Sequence, residues 1–281
     1  MELLDGKVVK KEVLDNLKKE VEKLERPLGL AVIQIGDDEA SNVYVRQKEK
    51  MAKELGMDFR HLKFPKDSKQ YEIVEEIMEL NNDDSIDGIL VQMPIPKHLD
   101  SQFIQNKISY LKDVDGLTDI NAGMLMHNKD GLVPCTPEGI IELLKYYNIE
   151  IKGKNVTIVG RSDLVGKPLA SLMTNNDATV TLCHSKTKNL NLFTKNADIL
   201  VVAVGKAKLI KKDQIKDGAV IIDVGINRQE DGKLCGDVDF EDVKEKASYI
   251  SPVPGGVGQM TVACLAKNTY KAYILRKNNK I

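Results

Sequence analysis

The sequence contains no tryptophan, and aromatic residues make up only 5% of its 281 positions. Four histidines and four scattered cysteines, with no CxxC pair, argue against a zinc-type cluster and against a disulfide framework. The cysteines are Cys135, Cys183, Cys235 and Cys264. We therefore expect no metal site and a reducing, cytoplasmic setting.

The chain also lacks an excess of charge of either sign. Its 41 basic and 42 acidic residues leave a formal charge of −1, so no electrostatic surface for nucleic acid is indicated. No apolar run approaches the ~18 residues of a membrane span. The opening stretch "MELLDGKVVKKEVLDNLKKE" is typical of a charged amphipathic helix rather than of a signal peptide. We expect neither nucleic acid nor a membrane as a partner.

Short apolar runs alternate with amphipathic stretches along the chain. The runs predict buried parallel strands at 28–36, 86–92, 155–160, 178–184, 197–205 and 218–227, with a weaker strand at 59–64. Helical spacing appears at 71–82, at 136–149 with Thr136 as N-cap and Pro137 at the first helical position, and at 260–277. The alternation is that of α/β proteins with a doubly wound parallel sheet.

Loop composition near residues 120–136 indicates a change of domain. We predict an N-terminal α/β substrate and catalytic domain of residues 1–122, completed by a C-terminal helix at 262–281. Residues 123–261 would form a Rossmann-like nucleotide-binding domain, with a cleft between the two.

The stretch "SNVYVRQKEK" (41–50) predicts a helix from Ser41 with one anomaly. At about 100° per residue, Lys48 falls in the middle of the apolar stripe that Tyr44 and Met51 define. Its stem could simply lie over apolar surface while the ammonium reaches water. Alternatively, a desolvated lysine has a lowered pKa and could serve as a base or proton carrier. The helix alone leaves both interpretations open.

The segment "TIVGRSDLVGKPLA" (157–170) indicates a strand, a turn and a helix, an arrangement that suits a pyrophosphate. The GxGxxG pattern is imperfect, so a plain β–α turn is an alternative. The next strand ends in "CHSKT" (183–187), without the acidic residue that binds the ribose hydroxyls of NAD. Ser185 stands there and Arg161 stands in the turn, which favours the 2′-phosphate of NADP.

Two further loops carry candidate residues. "SPVPGGVGQMT" (251–261) has three glycines before a helix, which fits close approach to a ligand or a tight interdomain turn. "KDVDG" (112–116) places Asp113 and Asp115 beside a glycine, where a simple turn with Asx capping is the alternative. Gln92 lies at the carboxyl end of the buried strand at 86–92, where open α/β sheets place ligands.

Taken together, these segments make the chain resemble the bifunctional methylenetetrahydrofolate dehydrogenase/methenyltetrahydrofolate cyclohydrolases. The matching segments occur in order over nearly the whole length: "ASNVYVRQKEKMAKELGM", "DGILVQMPIP", "KDVDGLTDINAG", "PCTPEG", "VGRSDLVGKP", "VTLCHSKT", "DVGIN", "GDVDF" and "PVPGGVGQMT". The resemblance implies NADP-dependent oxidation of methylenetetrahydrofolate, hydrolysis of the methenyl product to formyltetrahydrofolate, and a homodimer formed through the nucleotide domains.

The resemblance also implies roles for individual residues. Lys48 matches the catalytic lysine, and Gln92 and Asp115 match its catalytic partners. The implied folate contacts are Tyr44, Gln92, Asp115, Pro254, Gly258 and Thr261. The implied NADP contacts are Gly160, Arg161, Ser162, Ser185 and Ile226. Gln259 and Tyr110 replace prolines usual in the family, without altering a catalytic position.

Two other functions stay open from the residues. Tyr44 and Lys48 spell the YxxxK pair of short-chain dehydrogenases, but in that family the pair follows the glycine-rich turn, whereas here it precedes it. A non-catalytic dinucleotide-binding module is the second alternative. It would leave the combination of Lys48, Gln92 and Asp115 unexplained.

Overall fold

The computed structural model describes residues 1–278, apart from the side chain of Ala40. Residues 279–281, which the sequence assigned to the last helix, lie outside the described residues. The chain divides into two compact units. The six-stranded unit combines Met1–Lys11 with Thr136–Thr261, and the three-stranded unit combines Glu12–Cys135 with the segment from Val262 onward. The change of unit thus comes at Thr136, whereas the sequence placed it at residue 123.

The strands and helices follow one another in short alternating segments. The strands are β1 (Glu2–Leu3), β2 (Gly29–Ile35), β3 (Asp58–Phe64), β4 (Gly88–Val91), β5 (Asn155–Val159), β6 (Thr179–Cys183), β7 (Ile199–Val202), β8 (Val220–Asp223), β9 (Asn227–Arg228), β10 (Leu234–Cys235) and β11 (Tyr249–Ile250). The helices are α1 (Gly6–Val21), α2 (Glu39–Glu54), α3 (Gln70–Asn82), α4 (Ser101–Gln105), α5 (Asp119–Met126), α6 (Cys135–Tyr146), α7 (Gly166–Asn175), α8 (Asn191–Thr194), α9 (Phe240–Val243) and α10 (Val257–Asn278).

The three-stranded unit is built on a parallel sheet in the order β3-β2-β4. Every residue of β2 is buried, because both faces of the sheet are covered. Ala31 and Ile33 pack on one face with α3, whereas Leu30 and Val32 pack on the other with α2 and α10. This two-sided burial explains why β2 appears in the sequence as a continuous apolar run.

The six-stranded unit contains a wholly parallel sheet in the order β1-β11-β8-β7-β5-β6. Strand β5 lies between β6, which follows it in the chain, and β7, which follows β6. This reversal of strand order creates a switch point at the carboxyl end of β5. Open α/β sheets bind ligands at such a point. The fold therefore confirms the predicted two-domain α/β class with a Rossmann-like sheet.

Some local predictions were wrong. Helix α2 begins at Glu39 rather than at Ser41, because Asp38 is the N-cap and accepts a hydrogen bond from the Ser41 amide at 2.8 Å. Helix α6 begins at Cys135, so Thr136 lies inside it instead of capping it. The two-residue strands β1 and β11 were not predicted, because such short segments carry no periodicity. Within residues 1–278, no helix has the length and hydropathy to span a membrane.

Candidate active site

Lys48 lies on the face of α2 that packs into the core of the three-stranded unit. Val45, Met51, Ala52 and Leu55 are buried on that face, and Lys48 is half-buried among them. Its ammonium does not escape to water along the helix, since Nζ donates a 2.6 Å hydrogen bond to Oε1 of Gln92. The pocket interpretation of Lys48 is therefore favoured over the snorkelling interpretation.

Gln92 is buried directly after β4, at the carboxyl edge of the sheet. Its Nε2 donates to the carbonyl oxygen of Met93 at 2.7 Å, so the amide is held with Oε1 toward Lys48. Its backbone N–H donates to Ile33 at 2.8 Å, which continues the pairing of β4 with β2. The main chain thus fixes the orientation of the Gln92 amide, so that its uncharged Oε1 faces Lys48.

Desolvation governs the electrostatics of this cluster. Burial lowers the pKa of Lys48, while the charges of Asp115 and Cys135 act in the opposite direction. Burial raises the pKa of Asp115, and the Lys48 ammonium partly offsets that rise. The three-stranded unit therefore brings Lys48, Gln92 and Asp115 together around an amine with an enlarged neutral fraction.

Cys135 belongs to the same cluster, although no sequence pattern predicted that position. Burial raises the pKa of its thiol well above the ordinary value, with the neighbouring Asp115 charge adding to the effect. Its Sγ donates to the carbonyl oxygen of Val114 at 3.3 Å. A neutral, hydrogen-bonded thiol is a poor nucleophile, so the geometry gives Cys135 a structural role.

Asp113 does more than cap a turn. It is fully buried and accepts hydrogen bonds at 2.8–3.1 Å from two backbone amides and three side chains: Leu117 N, Thr118 N, Thr118 Oγ1, Gln105 Nε2 and Asn121 Nδ2. Asp115, two residues later, has a hydrogen bond with the Cys135 thiol in place of such a set, and it lies near Lys48. The two carboxylates of "KDVDG" are thus separated into a structural one and one available to a ligand.

Tyr44 lies one helical turn before Lys48 on α2, and 42% of its surface is exposed. The ring is free to contact a ligand next to the Lys48 amine. The YxxxK pair belongs to the three-stranded unit, whereas the glycine-rich turn belongs to the six-stranded unit. That separation removes the resemblance to short-chain dehydrogenases.

The turn after β5 lies at the switch point of the six-stranded sheet. Gly160 has φ +127°, and a Cβ there would lie 2.2 Å from the carbonyl oxygen of Ala203, which follows β7. A Cβ at Gly166 would lie 2.0 Å from the carbonyl oxygen of Gly160. Ser162 Oγ accepts a hydrogen bond from the Val165 amide at 3.2 Å. Only glycine permits the close approaches at positions 160 and 166. Without side chains at these two positions, backbone at the N-terminus of α7 is left uncovered.

Two polar side chains flank this turn. Gly160 donates to the carbonyl oxygen of Cys183 at 2.9 Å, so the ends of β5 and β6 lie side by side. Arg161 follows the first strand and Ser185 the second, and both are exposed. No ion pair of the described chain uses Arg161. A free guanidinium and a hydroxyl, with no carboxylate on the "CHSKT" turn, fit a phosphate group better than ribose hydroxyls.

The glycine loop precedes α10 in the six-stranded unit. Pro254 in this loop and Gly258 in the first turn of α10 are exposed, and a Cβ at Gly258 would lie 3.7 Å from Cδ1 of Ile226, which is half exposed after β8. The Thr261 hydroxyl lies 3.2 Å from the Thr136 hydroxyl. The first turn of α10 and the segment that carries Ile226 therefore lie side by side at the carboxyl edge of this sheet.

Two buried carboxylates that the sequence did not single out hold these loops. Asp237 accepts the backbone N–H groups of Val204, Gly205 and Lys206 at 2.6–3.0 Å. Asp223 accepts those of Gly225, Asp237 and Val238, and burial raises the pKa of Asp223 to about 6. The glycines beside them, in "DVGIN" and "GDVDF", were the available signal: a Cβ at Gly225 or Gly236 would overlap a carboxylate.

Comparison with protein families gives two matches that together span most of the chain. Residues 4–115 match the catalytic domain of tetrahydrofolate dehydrogenase/cyclohydrolase, and residues 134–277 match its NAD(P)-binding domain. Among curated proteins, the bifunctional protein FolD of Bacillus subtilis is 52% identical over 273 residues, which are 96% of each chain.

Solved structures give the same result. The chain is similar to the bifunctional FolD methylenetetrahydrofolate dehydrogenase/cyclohydrolase of Campylobacter jejuni, with a TM-score of 0.97 and 45% identity over 98% of this chain and 99% of that one. It is also similar to the Trypanosoma brucei N5,N10-methylenetetrahydrofolate dehydrogenase-cyclohydrolase, solved with NADP and an inhibitor. That comparison has a TM-score of 0.92 and 37% identity over 97% of each chain.

Proposed function

The chain belongs to the tetrahydrofolate dehydrogenase/cyclohydrolase family, and we infer from this membership and from the geometry above that it is a bifunctional enzyme. It oxidises methylenetetrahydrofolate to methenyltetrahydrofolate with NADP and then hydrolyses the product to formyltetrahydrofolate. The observation that carries the second activity is the desolvated Lys48 amine, hydrogen-bonded to the neutral Gln92. A non-catalytic dinucleotide-binding module would not need this arrangement.

The residues at the switch point fit NADP. Gly160 and Gly166 leave backbone that a Cβ would fill, Ser162 lies in the turn, and the free Arg161 and the Ser185 hydroxyl suit a 2′-phosphate. The exposed Ile226 offers an apolar contact at the same edge of the sheet. When bound, NADP supplies the hydride acceptor for the oxidation.

Asp115 is proposed to hold the pterin ring of the folate. The ring presents neighbouring N–H donors, from its amino group and its ring amide, and a carboxylate can accept two of them side by side. Tyr44 would lie against the ring. Pro254, Gly258 and Thr261 are proposed as further folate contacts, on the basis of the family match. Holding the folate in one orientation is the protein's main contribution to the oxidation.

Lys48 is proposed as the proton carrier of the hydrolysis. Water attacks the methenyl carbon, and the neutral amine accepts the proton that the water oxygen gives up. The resulting ammonium then returns a proton to the ring nitrogen as its bond to that carbon breaks. The added hydroxyl loses its remaining proton to water as the formyl C=O forms, so the ring opens and one proton is released overall. Gln92 holds the Lys48 amine in one place through both proton transfers. The Gln92 amide can do so because its hydrogen bond to the Met93 carbonyl fixes its own orientation.

The edge strand β6 supports a homodimer formed through the nucleotide-binding unit, as the family match implies. Within the described chain, β6 pairs only with β5. Thr179 donates to Lys154, which precedes β5, so the N–H groups of Val180 and Leu182 alternate to the open side. Unpaired N–H and C=O groups on an edge are a template for a second chain.

The cytoplasm is the proposed compartment. All four cysteines are free thiols, and Cys135, Cys183 and Cys264 are buried. Reduced thiols in a core are typical of proteins from reducing compartments.

The proposed function predicts that Lys48→Met separates the two activities. Loss of the proton carrier should slow hydrolysis of methenyltetrahydrofolate by about 10²–10⁴-fold. Hydride transfer needs no proton from Lys48 and should persist. In an absorbance assay with methylenetetrahydrofolate and NADP, the methenyl product should accumulate.

Lys50→Met is the matched control, because Lys50 lies on the same helix but is 79% exposed. It should leave both activities unchanged. The rate without enzyme is subtracted from each measurement. If Lys48→Met then hydrolysed methenyltetrahydrofolate at the wild-type rate, the lysine would have another role.

The proposed cofactor site predicts that Arg161→Ala weakens NADP much more than NAD. A lost charge-assisted hydrogen bond should cost about 1.5–3 kcal/mol, and so about tenfold to a hundredfold in affinity. Titration of both nucleotides against wild type, Arg161→Ala and Arg161→Lys measures this, with Arg161→Lys expected to retain part of the preference. An equal loss for NADP and NAD would mean that Arg161 only shapes the turn.

The edge-strand proposal predicts that Val180→Pro weakens the dimer. Proline removes an N–H group on the open side of β6 and no bond between β6 and β5. Sedimentation velocity should show a dimer for wild type and a shift toward monomer for the variant. A wild-type monomer, or a variant dimer of unchanged affinity, contradicts the proposal.

A further inference from the structure

Asn268 connects the last helix to the loop that carries Asp115. It lies on α10 and is buried, and its Nδ2 donates to the carbonyl oxygens of Val114 and Val133 at 2.9 and 2.8 Å. We propose that Asn268 is a positioning residue that sets the place of Asp115 for folate binding. This inference rests on the proposed function of Asp115.

The amide uses both of its N–H groups on these two carbonyls. Because each partner is a pure acceptor, the amide can face them only through its nitrogen. The Val114 carbonyl also accepts from Cys135 Sγ at 3.3 Å, and Asn268 Nδ2 lies 3.7 Å from the same sulfur. Side chains from α10 and α6 therefore both donate to the peptide group that directly precedes Asp115.

The two backbone segments that Asn268 joins are already in close contact. Gly116 has φ +68°, and a Cβ there would lie 2.5 Å from the carbonyl carbon of Val133. Since main chain packs against main chain here, no side chain of the loop can adjust to fill a gap. The Asn268 amide is the group that fixes the separation of the two carbonyls.

Asp115 depends on this arrangement more than its neighbour does. Asp113 is held by its own set of hydrogen bonds and stays in place without help from α10. The Asp115 side chain has a hydrogen bond with the Cys135 thiol but no comparable set, so its position depends more strongly on that of its backbone. A small displacement would misalign two parallel hydrogen bonds to the pterin and would weaken folate binding in both reactions.

The test compares Asn268→Leu with Thr269→Val. Leucine keeps the branched shape of asparagine but removes both donors. Thr269 is the matched control, because it is equally buried on the same helix and its hydroxyl donates only within that helix, to Leu265 at 2.8 Å. Asn268→Ser, which keeps one donor, serves where Asn268→Leu does not fold.

Asn268→Leu should raise the KM for methylenetetrahydrofolate and for methenyltetrahydrofolate together, by about tenfold, with a smaller effect on kcat. Asn268→Ser should give a partial rise in both, and Thr269→Val should leave both at the wild-type value. In an Asp115→Asn background, Asn268→Leu should add less than about twofold, because the carboxylate it positions is already gone.

If Asn268 had a purely structural role, the KM increases caused by Asn268→Leu and by Asp115→Asn would multiply in the double variant. That outcome overturns the inference. A wild-type KM in Asn268→Leu or Asn268→Ser also overturns it. If the wild-type enzyme turned over neither folate, the proposed function would be wrong, and this inference would be wrong with it.

Discussion

The desolvation of one amine is the constraint on which the three-stranded unit depends. Lys48 lies on the apolar face of α2, and burial lowers its pKa. A carboxylate as its hydrogen-bond partner would favour the charged form, whereas the amide of Gln92 satisfies the amine without adding charge. The negative charge of Asp115 is close enough to moderate the pKa of Lys48, and the Asp115 side chain also has a hydrogen bond with the Cys135 thiol. In the proposed mechanism, acid–base chemistry and substrate binding therefore use different atoms of one cluster.

The six-stranded unit solves a different problem with related means. Its proposed NADP site is mostly backbone, so the loops at the carboxyl edge of the sheet must be held without side chains that fill the site. The buried carboxylates of Asp223 and Asp237 hold these loops by accepting hydrogen bonds from their backbone N–H groups. Glycines permit the close approaches. In both units a buried carboxylate organises the loops, as Asp113 does for the loop of Asp115, and the residues that meet the ligand stay free.

Much of this could be predicted from the sequence, because the signals were local. The strands that are buried on both faces appear as apolar runs, and Lys48 stands out as one charge on an apolar stripe. From the residues alone Asp113 and Asp115 could not be distinguished, since their partners come from α2, α4, α5 and α6; only the family resemblance singled out Asp115. Asn268 left no signal at all: its partners are main-chain carbonyls 154 and 135 positions away. The start of α6 at Cys135 was missed because a good N-cap residue followed one position later.

The most direct test of the central claim is an NMR titration of the Lys48 side chain, with its ε signals assigned by comparison with Lys48→Met. The account predicts that Lys48 in the wild-type enzyme loses its proton at a pH clearly below the 10.5 of a free lysine, because burial disfavours the ammonium. In Asp115→Asn the pKa should fall further, because the anion that favours the ammonium has been removed. A wild-type pKa at or above 10.5, or a pKa that rises in Asp115→Asn, would contradict it.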